Sequence, residues 1–489
     1  MLLTDLLNGG VTPPLQLEHN PEILGLTADS RDVEKGYLFA ALSGTQVDGA
    51  DYIEDAIERG AVAVLGGENL TLAPNSPAVT IRDSRPRRRL AEIAARFYPR
   101  QPSNVVAVTG TNGKTSVAHF VRQIWQELGY RSGTIGTLGA QWRGHVQTLP
   151  TTTPEPVLLH CLLNRFAEDE VDCVAIEASS HGLDQNRLNG VGIGHAGFTN
   201  FSHDHLDYHK SLESYLTAKL RLFSEVLVEG GTAVLNADVP EFDRFNEICR
   251  QRGHRVLSYG VAGEGIRLDR HEIAGDAQRI GITLGERFYD VTLPLVGDFQ
   301  ALNALCALGL VIASGDDEEK CVAALAQLTV VPGRLEKVAE HPCGAGIYVD
   351  YAHTPDALAR ALGALRPIIS GKLVAVFGAG GDRDSEKRAA MGEAAAQNAD
   401  RVIITDDNPR SEDPATIRRA ILASCPGATE IGDRAEAIRT ALDCLSDGDA
   451  LLIAGKGHEQ GQIVGAETVP FDDSDVVRRS VRTLGQGAS

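Results

Sequence analysis

The segment Val105–Ser116, VVAVTGTNGKTS, constrains the fold of this chain more than any other. Its apolar run predicts a buried strand, its two glycines a tight turn, and the amphipathic stretch that follows a helix. This arrangement directs backbone N–H groups and the positive end of a helix dipole towards a phosphate. Lys114 suits the outer phosphates, and the hydroxyls of Thr115 and Ser116 suit the accompanying magnesium ion. The segment therefore predicts a nucleoside triphosphate site.

The glycine-rich segment differs from the ordinary P-loop. That motif has a glycine five residues before the one that precedes the lysine, and Val108 occupies this place here. The sequence therefore predicts a shorter phosphate loop, GTNGKTS.

Length and charge narrow the class of protein. A chain of 489 residues is too long for one hydrophobic core and suggests about three domains. The net charge of −20 argues against nucleic acid or an anionic membrane as a partner, and requires a local basic pocket for any anionic substrate. Eight cysteines without CxxC pairing predict buried thiols in a reducing compartment. The N-terminus lacks signal-peptide features and no run approaches a membrane span, so we expect a cytoplasmic protein.

Three regions separate along the chain: residues 1–98, 99–330 and 331–489. In the second and third regions, apolar strand-like runs alternate with helical ones, which predicts parallel sheets covered by helices on both faces. Most unusual polar clusters follow such a strand, at the edge where open α/β sheets bind ligands. We expect two of these domains to enclose a cleft.

Two polar clusters in the middle region suggest metal chemistry. Residues 198–209, FTNFSHDHLDYH, approach the HxHxDH signature of two-metal hydrolases, but Tyr208 interrupts it; a zinc site remains an alternative. Glu177 ends an apolar run, where a carboxylate is costly unless it is paired or holds a metal. It is a candidate magnesium ligand, and the alternative is an ion pair with Lys114. Lys219, in a predicted helix capped by Ser211, reads locally as a solvated lysine.

Together these motifs resemble the Mur ligase family, whose members build the peptidoglycan stem peptide and have folylpolyglutamate synthetases as relatives. The resemblance covers essentially the whole chain, and its motifs occur in the family's order. It extends to an N-terminal segment, DSRDVEKGYLFAALSGTQVDG, which is similar to the family's uridine-binding domain. The resemblance implies an α/β fold with a uridine-binding N-terminal domain, a central parallel-sheet ATPase domain and a C-terminal Rossmann-like domain. Because the site residues come from two domains, we expect the C-terminal domain to close on ATP.

The resemblance also implies roles for individual residues. It places these around ATP: Gly110, Thr111, Asn112, Gly113, Lys114, Thr115, Ser116, Asn303, Arg334, Asp350, Tyr351 and His353. It assigns magnesium to Thr115, Glu177, His205 and a Lys219 carbamylated by carbon dioxide. Catalysis falls to Lys114, Glu177, His205, Lys219 and Arg334. Gln300 stands where the family has an asparagine.

Two further groups would bind the substrates. For a uridine-linked muramoyl peptide the resemblance implies Ser30, Thr45, Gln46, Val47, Thr152, Thr153, Ser179, Gln185 and Arg187. For the incoming amino acid it implies Arg383, Asp407, Asn408, Pro409, Arg410, Gly455 and Glu459.

The tetrapeptide DNPR, residues 407–410, resembles that of members that add meso-diaminopimelate. A buried Arg410 gains a charge-assisted bond from the distal carboxylate of this diamine, which lysine lacks. The implied reaction joins meso-diaminopimelate to UDP-N-acetylmuramoyl-L-alanyl-D-glutamate, consumes ATP with magnesium, and proceeds in a monomer. A ligase that adds L-lysine and a non-enzymatic nucleotide-binding module are the alternatives.

Overall fold

The computed structural model describes residues 1–8, 19–44 and 47–487, with the side chains of 486 and 487 left out. Its N-terminal part is a small parallel sheet with helices against it. The four strands lie in chain order, β1 to β4: Gly25–Thr27, Tyr37–Ala40, Ala63–Gly66 and Val79–Arg82. The helices are α1 Leu3–Asn8, α2 Ile53–Glu58 and α3 Pro86–Phe97. The predicted α/β character of this region is confirmed.

The central part is built on one eleven-stranded sheet, in the order β15-β14-β13-β12-β11-β10-β5-β9-β6-β7-β8. Strands β5 to β15 are Asn104–Thr109, Ser132–Gly136, Gly139–Trp142, His145–Gln147, Cys173–Glu177, His195–Phe198, Thr232–Asn236, Arg255–Gly260, Ile266–Ala274, Ala277–Leu284 and Arg287–Leu293. Helices α4 to α11 are Lys114–Glu127, Pro156–Glu168, Ser180–Asp184, Leu206–His209, Leu212–Arg221, Phe242–Gln251, Asp298–Ala313 and Glu318–Ala324.

The C-terminal part has a six-stranded sheet, in the order β16-β17-β21-β18-β19-β20, and a separate hairpin, β22-β23. Strands β16 to β23 are Glu336–Glu340, Gly346–Asp350, Leu373–Phe377, Arg401–Ile404, Thr429–Glu430, Ala450–Ala454, Gly461–Val464 and Glu467–Pro470. Helices α12 to α16 are Pro355–Leu365, Lys387–Asn398, Pro414–Leu422, Arg434–Leu442 and Asp473–Gly487. All pairs of the six-stranded sheet except β16–β17 are parallel.

The central sheet is mixed rather than purely parallel, which corrects the sequence-based expectation. Its middle strands pair in parallel, but the β6–β7–β8 and β13–β14–β15 segments pair antiparallel at the two ends. Tight turns that contain left-handed residues connect these antiparallel strands. Arg143 and Gly144, for example, join β7 to β8 with φ values of 45° and 81°. Two left-handed central residues match the twist of a hairpin, a signal that an apolar pattern does not carry.

Strand β5 is buried on both faces and sets the position of the phosphate loop. Val106 and Val108 pack into the core on one face of the sheet, and Val105 and Ala107 into the core on the other. β5 lies between β10 and β9: the chain runs from β5 to β6 on one side, and from β9 across β5 to β10 on the other. Its carboxyl end is therefore at a topological switch point, where open sheets form ligand crevices.

No helix among the described residues is long and apolar enough to cross a membrane.

Candidate active site

The phosphate loop connects β5, which ends at Thr109, to α4, which begins at Lys114. Gly113 precedes the helix with φ 85°, and a Cβ there would overlap Oδ1 of Asn303. Glycine is needed for both reasons. Asn303 is itself held by its Nδ2, which donates to Oε1 of Gln300 at 3.0 Å. Gln300 thus orients Asn303 against the loop.

Lys114 is held over its own loop. Its Nζ donates to the carbonyls of Gly110 and Thr111, both at 2.8 Å. Desolvation lowers the pKa of Lys114, while the charges of Glu177 and Asp204 act in the opposite direction. The lysine thus lies among oxygen acceptors at the N-terminus of α4.

Glu177, at the end of β9, is buried and hydrogen-bonded on both carboxylate oxygens. Oε2 accepts from Oγ1 of Thr115 at 2.9 Å and of Thr137 at 3.1 Å. Oε1 accepts from the backbone N–H of Thr137 at 2.8 Å. The structure differs from the ion-pair alternative, since Lys114 bonds to backbone carbonyls instead.

Lys219 is 1% exposed, which corrects its local interpretation as a solvated helix lysine. The predicted cap is confirmed: the Ser211 side chain accepts from the N–H of Ser214 at the start of α8. Nζ of Lys219 donates to the same Gly110 carbonyl as Lys114, at 2.8 Å, and lies 4.3 Å from the ring centroid of Tyr215. Burial, and then the charge of Lys114, hold the pKa of Lys219 well below its usual value. The site thus favours the neutral form of this amine more than an exposed position would.

His205 begins the short helix α7 in a left-handed conformation, φ 56°. Desolvation lowers its pKa to about 3, so the ring is neutral at pH 7. Buried Asp204 lies between two imidazoles, 3.5 Å from Nε2 of His205 and 3.8 Å from Nε2 of His353. Asp204 therefore joins the central part of the chain to the C-terminal part.

The C-terminal part reaches the phosphate loop directly. Nη2 of Arg334 donates to Oγ1 of Thr115 at 3.0 Å, and its guanidinium lies 4.6 Å from the ring centroid of Tyr351. Nδ2 of Asn112 donates to Oδ2 of Asp356 at 3.2 Å. The carboxylate of Asp350 accepts two backbone N–H groups, and its burial raises its pKa. Asp350 thus shapes the segment that carries Arg334 and Tyr351.

A cavity of about 210 Å³ lies between these groups. All but one of the predicted ATP and metal residues line it: Thr111, Asn112, Gly113, Lys114, Thr115, Ser116, Glu177, His205, Lys219, Asn303, Arg334, Asp350, Tyr351 and His353. The exception is Gly110, whose carbonyl accepts hydrogen bonds from Lys114 and Lys219. Thr152 and Ser179, predicted for the muramoyl peptide, line the same cavity.

The other muramoyl residues of the central part form a network behind Thr152 and Ser179. Oγ1 of Thr153 bonds to the Glu177 carbonyl at 2.7 Å and to Oγ of Ser179 at 2.9 Å. Arg187 donates to the Thr153 carbonyl at 2.7 Å and to Oε1 of Gln185 at 2.7 Å. These bonds connect Thr153, Ser179, Gln185 and Arg187 into one network, which reaches the cavity at Ser179.

Of the N-terminal predictions, the structure describes Ser30 and Val47. Ser30 is buried in the turn after β1, and Val47 is 59% exposed. Thr45 and Gln46 lie outside the described residues. Arg87, at the start of α3, donates to the Ser43 carbonyl at 2.7 Å and so connects this loop to the helix.

The predicted amino-acid residues follow three neighbouring strands of the C-terminal sheet: Arg383 comes after β18, residues 407–410 after β19, and Gly455 and Glu459 after β21. Nδ2 of Asn408 donates to Oε2 of Glu459 at 2.9 Å. Gly455 has φ 111°, and a Cβ there would meet the Asp407 carboxylate, so the two strand ends approach closely. Pro409 is buried beside them, and Arg383 is exposed.

Arg410 is half-buried rather than buried, which corrects the sequence-based expectation. It takes a left-handed conformation, φ 52°, and its Nη1 donates to the Gly381 carbonyl at 2.8 Å. Desolvation and the neighbouring charge of Arg383 lower the pKa of Arg410. Two adjacent cations at the rim favour a carboxylate in the pocket.

The described residues contain no group of three or more His, Cys, Asp and Glu side chains placed to hold a metal, so the zinc alternative gains no support. The side-chain oxygens beside the phosphate loop fit a magnesium ion better than a zinc ion, because magnesium prefers oxygen ligands. Oγ1 of Thr115 and Oε2 of Glu177 lie 2.9 Å apart at the phosphate loop. Magnesium takes one or two protein oxygens together with substrate phosphates and water.

Sequence reasoning did not single out several residues that the structure brings into the site. Thr137 and Asp204 contact the predicted ligands, and Lys456 bonds to two residues of the amino-acid pocket from behind its wall. Asp204 lies within the segment 198–209, and Lys456 lies between the predicted residues Gly455 and Glu459, but neither was assigned a role from the sequence. Thr137 follows β6 without a motif, and only the strand order brings it to Glu177.

Family models match three consecutive parts of the chain. Residues 22–98 match "Mur ligase family, catalytic domain", 108–311 "Mur ligase middle domain", and 333–457 "Mur ligase, glutamate ligase domain". A curated protein of Bradyrhizobium diazoefficiens is 52% identical over 461 residues, which span 93% of this chain and 94% of that protein. This chain belongs to the Mur ligase family. The Bradyrhizobium relative is named UDP-N-acetylmuramoyl-L-alanyl-D-glutamate–2,6-diaminopimelate ligase.

Solved structures agree with this membership. One of a UDP-N-acetylmuramoyl-L-alanyl-D-glutamate–2,6-diaminopimelate ligase matches with a TM-score of 0.69 and 32% identity, covering 97% of this chain and 98% of that one. A MurF ligase from Thermotoga maritima in complex with ADP matches at a TM-score of 0.65 with 19% identity, covering 95% and 98%. The second likeness shows the fold alone.

Proposed function

We propose that this Mur ligase joins meso-diaminopimelate to UDP-N-acetylmuramoyl-L-alanyl-D-glutamate and converts ATP to ADP and phosphate. The observation that carries the proposal is that Arg334, from the C-terminal part, bonds to Thr115 of the phosphate loop beside Glu177. A pocket with two arginines, Arg383 and Arg410, lies at the strand ends of the same C-terminal sheet.

The first step transfers the γ-phosphoryl group of ATP to the side-chain carboxylate of the D-glutamate residue, and ADP leaves. A carboxylate is a poor electrophile, and its acyl phosphate has a good leaving group. Lys114 and the backbone N–H groups of the loop hold the phosphates, and Arg334 offers a guanidinium to the transferring group. Positioning and charge neutralisation supply most of the catalysis.

The free amine of the incoming diamine then attacks the acyl carbon. The carbon–nitrogen bond forms, the amine loses a proton, and phosphate leaves. Arg410 and Arg383 favour the carboxylate of the distal amino-acid centre, and Glu459 favours its ammonium group. Lysine supplies only the ammonium and leaves the arginines without a partner.

Thr115, Glu177 and His205 are the proposed magnesium ligands, together with Lys219 as a carbamate. When bound, magnesium neutralises phosphate charge. The buried Lys219 fits its assignment because only a neutral amine reacts with carbon dioxide, and the site lowers its pKa.

Phosphate release, measured with ATP, the UDP-linked dipeptide and either diamine, tests the proposal. We expect phosphate only when all three substrates are present, and faster turnover with meso-diaminopimelate than with L-lysine by at least about 100-fold. The Lys114→Met variant is expected to lose at least about 1000-fold, which ties the activity to this site. Equal turnover of lysine contradicts the proposed acceptor, and no release with either contradicts a ligase.

A further inference from the structure

A fully buried lysine, Lys456, lies behind the wall of the amino-acid pocket. The side chain of Lys456 is 0% exposed. Its Nζ donates to Oδ1 of Asn408 and to Oε2 of Glu459, both at 3.0 Å. Both acceptors belong to residues proposed to bind the incoming diamine.

The backbone turns Lys456 inward. Gly455 and Gly457 flank it with φ values of 111° and 54°, which other residues adopt only at a cost. Gly455 lies so close to the Asp407 carboxylate that a Cβ there would not fit. The loop after β21 is therefore built to bring the lysine against the DNPR segment.

The bonds fix the orientation of the Asn408 amide. Its Oδ1 accepts from Lys456 and from the backbone N–H of Ile463, at 3.0 Å each. Its Nδ2 donates to Oε2 of Glu459 at 2.9 Å. A flipped amide would present N–H groups to two donors and a carbonyl to a carboxylate, so one orientation is strongly preferred.

The same bonds fix the carboxylate of Glu459. Lys456 and Asn408 both donate to Oε2, and Oε1 takes part in neither bond. Glu459 remains 30% exposed, whereas the lysine is sealed. A buried ammonium needs a carboxylate partner, and Glu459 supplies it from the pocket wall.

We propose that Lys456 is a positioning residue for the amino-acid acceptor, which holds Asn408 and Glu459 so that Oε1 of Glu459 meets an ammonium group of the diamine. This inference rests on the proposed function. Lys456 itself does not contact the diamine, because its side chain is fully buried behind the pocket wall and its ammonium group already donates to Asn408 and Glu459.

A double-mutant cycle tests whether Lys456 acts through Glu459. The variants are Lys456→Met, Glu459→Gln and their combination, with KM and kcat measured by phosphate release. Lys456→Met is expected to raise the KM for meso-diaminopimelate roughly 10- to 100-fold, with kcat and the KM for ATP each within about threefold. In the combination, the KM is expected to stay within about threefold of that of Glu459→Gln alone, because the group that Lys456 positions is already altered.

Other results overturn the inference. These are an unchanged or lower KM for the diamine, a parallel rise in the KM for ATP, or effects that multiply in the combined variant. Lys456→Gln retains a donor and is expected to give a KM between those of the wild type and Lys456→Met. If Lys456→Met does not fold, the Gln variant is judged by the same KM and kcat criteria.

Lys372→Met is the matched control, since Lys372 is exposed near the amino end of β18, and it is expected to leave all three constants unchanged. Wild-type enzyme is assayed first. Absence of turnover there contradicts the proposed function, whereas normal wild-type turnover with an unaffected Lys456→Met contradicts the positioning role alone.

Discussion

Two lysines converge on a single backbone oxygen in this site. Lys114 and Lys219 both donate to the carbonyl of Gly110, and the charge of Lys114 contributes to the lowered pKa of Lys219. Two ammonium groups this close repel each other, so the arrangement favours one cation and one neutral amine. The cation suits a phosphate, and the neutral amine suits carbamylation.

Arg410 provides the first prediction at the residue scale. Its guanidinium and that of Arg383 form the cationic rim of the amino-acid pocket. The Arg410→Ala variant is expected to lower kcat/KM for meso-diaminopimelate by roughly 100-fold and to change that for L-lysine by less than about threefold. Phosphate release with each diamine measures the ratio. An undiminished preference for meso-diaminopimelate would contradict the role of Arg410.

His119, in α4, provides a prediction about stability and pH. Burial lowers its pKa to about 3, against about 6.5 in the unfolded chain. Between these values the unfolded state binds a proton that the folded state does not, so the folded state loses stability as the pH falls below about 6.5. The His119→Gln variant lacks this titrating group. Between pH 8 and pH 5 its free energy of unfolding should therefore fall by about 2 kcal/mol less than that of the wild type.

Urea unfolding at pH 8 and pH 5 measures this difference. His145→Gln, at an exposed position, is the control. Equal acid sensitivity of wild type and His119→Gln would show that His119 does not cause the loss.

At the scale of elements, apolar periodicity predicts the buried strands and the position of the functional loops. The phosphate loop directly follows β5, and Gly455 directly follows β21. Glu177 and Asp350 are the last residues of β9 and β17. The antiparallel strands at the sheet ends are not predicted, because an apolar pattern does not show how neighbouring strands pair; β7 and β8, for example, are joined by a left-handed turn at Arg143 and Gly144. Long-range pairs such as Arg434 with Asp473 are also not predicted, because their meeting depends on how α15 and α16 pack.

The pair between Arg434 and Asp473 connects the first turns of α15 and α16, and both side chains are 0% exposed. The guanidinium also donates to the Ala454 carbonyl at 2.9 Å, at the end of β21. Arg434→Met leaves a buried carboxylate without its partner and is expected to lower the free energy of unfolding by about 3–5 kcal/mol. Adding Asp473→Leu should recover most of the lost free energy of unfolding, because no buried carboxylate is then left unpaired.

Urea unfolding of the single and double variants measures the effect of this pair. The control Arg439→Met, at an exposed position of the same helix, should stay within about 0.5 kcal/mol of the wild type. A double variant as unstable as Arg434→Met would contradict the account, because the penalty would not arise from the unpaired carboxylate.

At the scale of the molecule, the reaction site belongs to no single sheet. Thr115 and Glu177 come from the central sheet, whereas Arg334 and Tyr351 come from the C-terminal part. The muramoyl network lies on the central side, and the pocket with Arg410 on the C-terminal side. Residue types and motif order predict these groups, but only the packed chain shows that Arg334 bonds to Thr115.

The central claim is that the carboxylate of the UDP-linked dipeptide is phosphorylated between these two parts before the amine attacks. The most direct test uses a dipeptide substrate whose D-glutamate side-chain carboxylate carries ¹⁸O, with mass spectrometry of the released phosphate. An acyl phosphate predicts one ¹⁸O atom in each phosphate from fully labelled substrate, because a carboxylate oxygen leaves with the phosphorus. Release of unlabelled phosphate during product formation would contradict it.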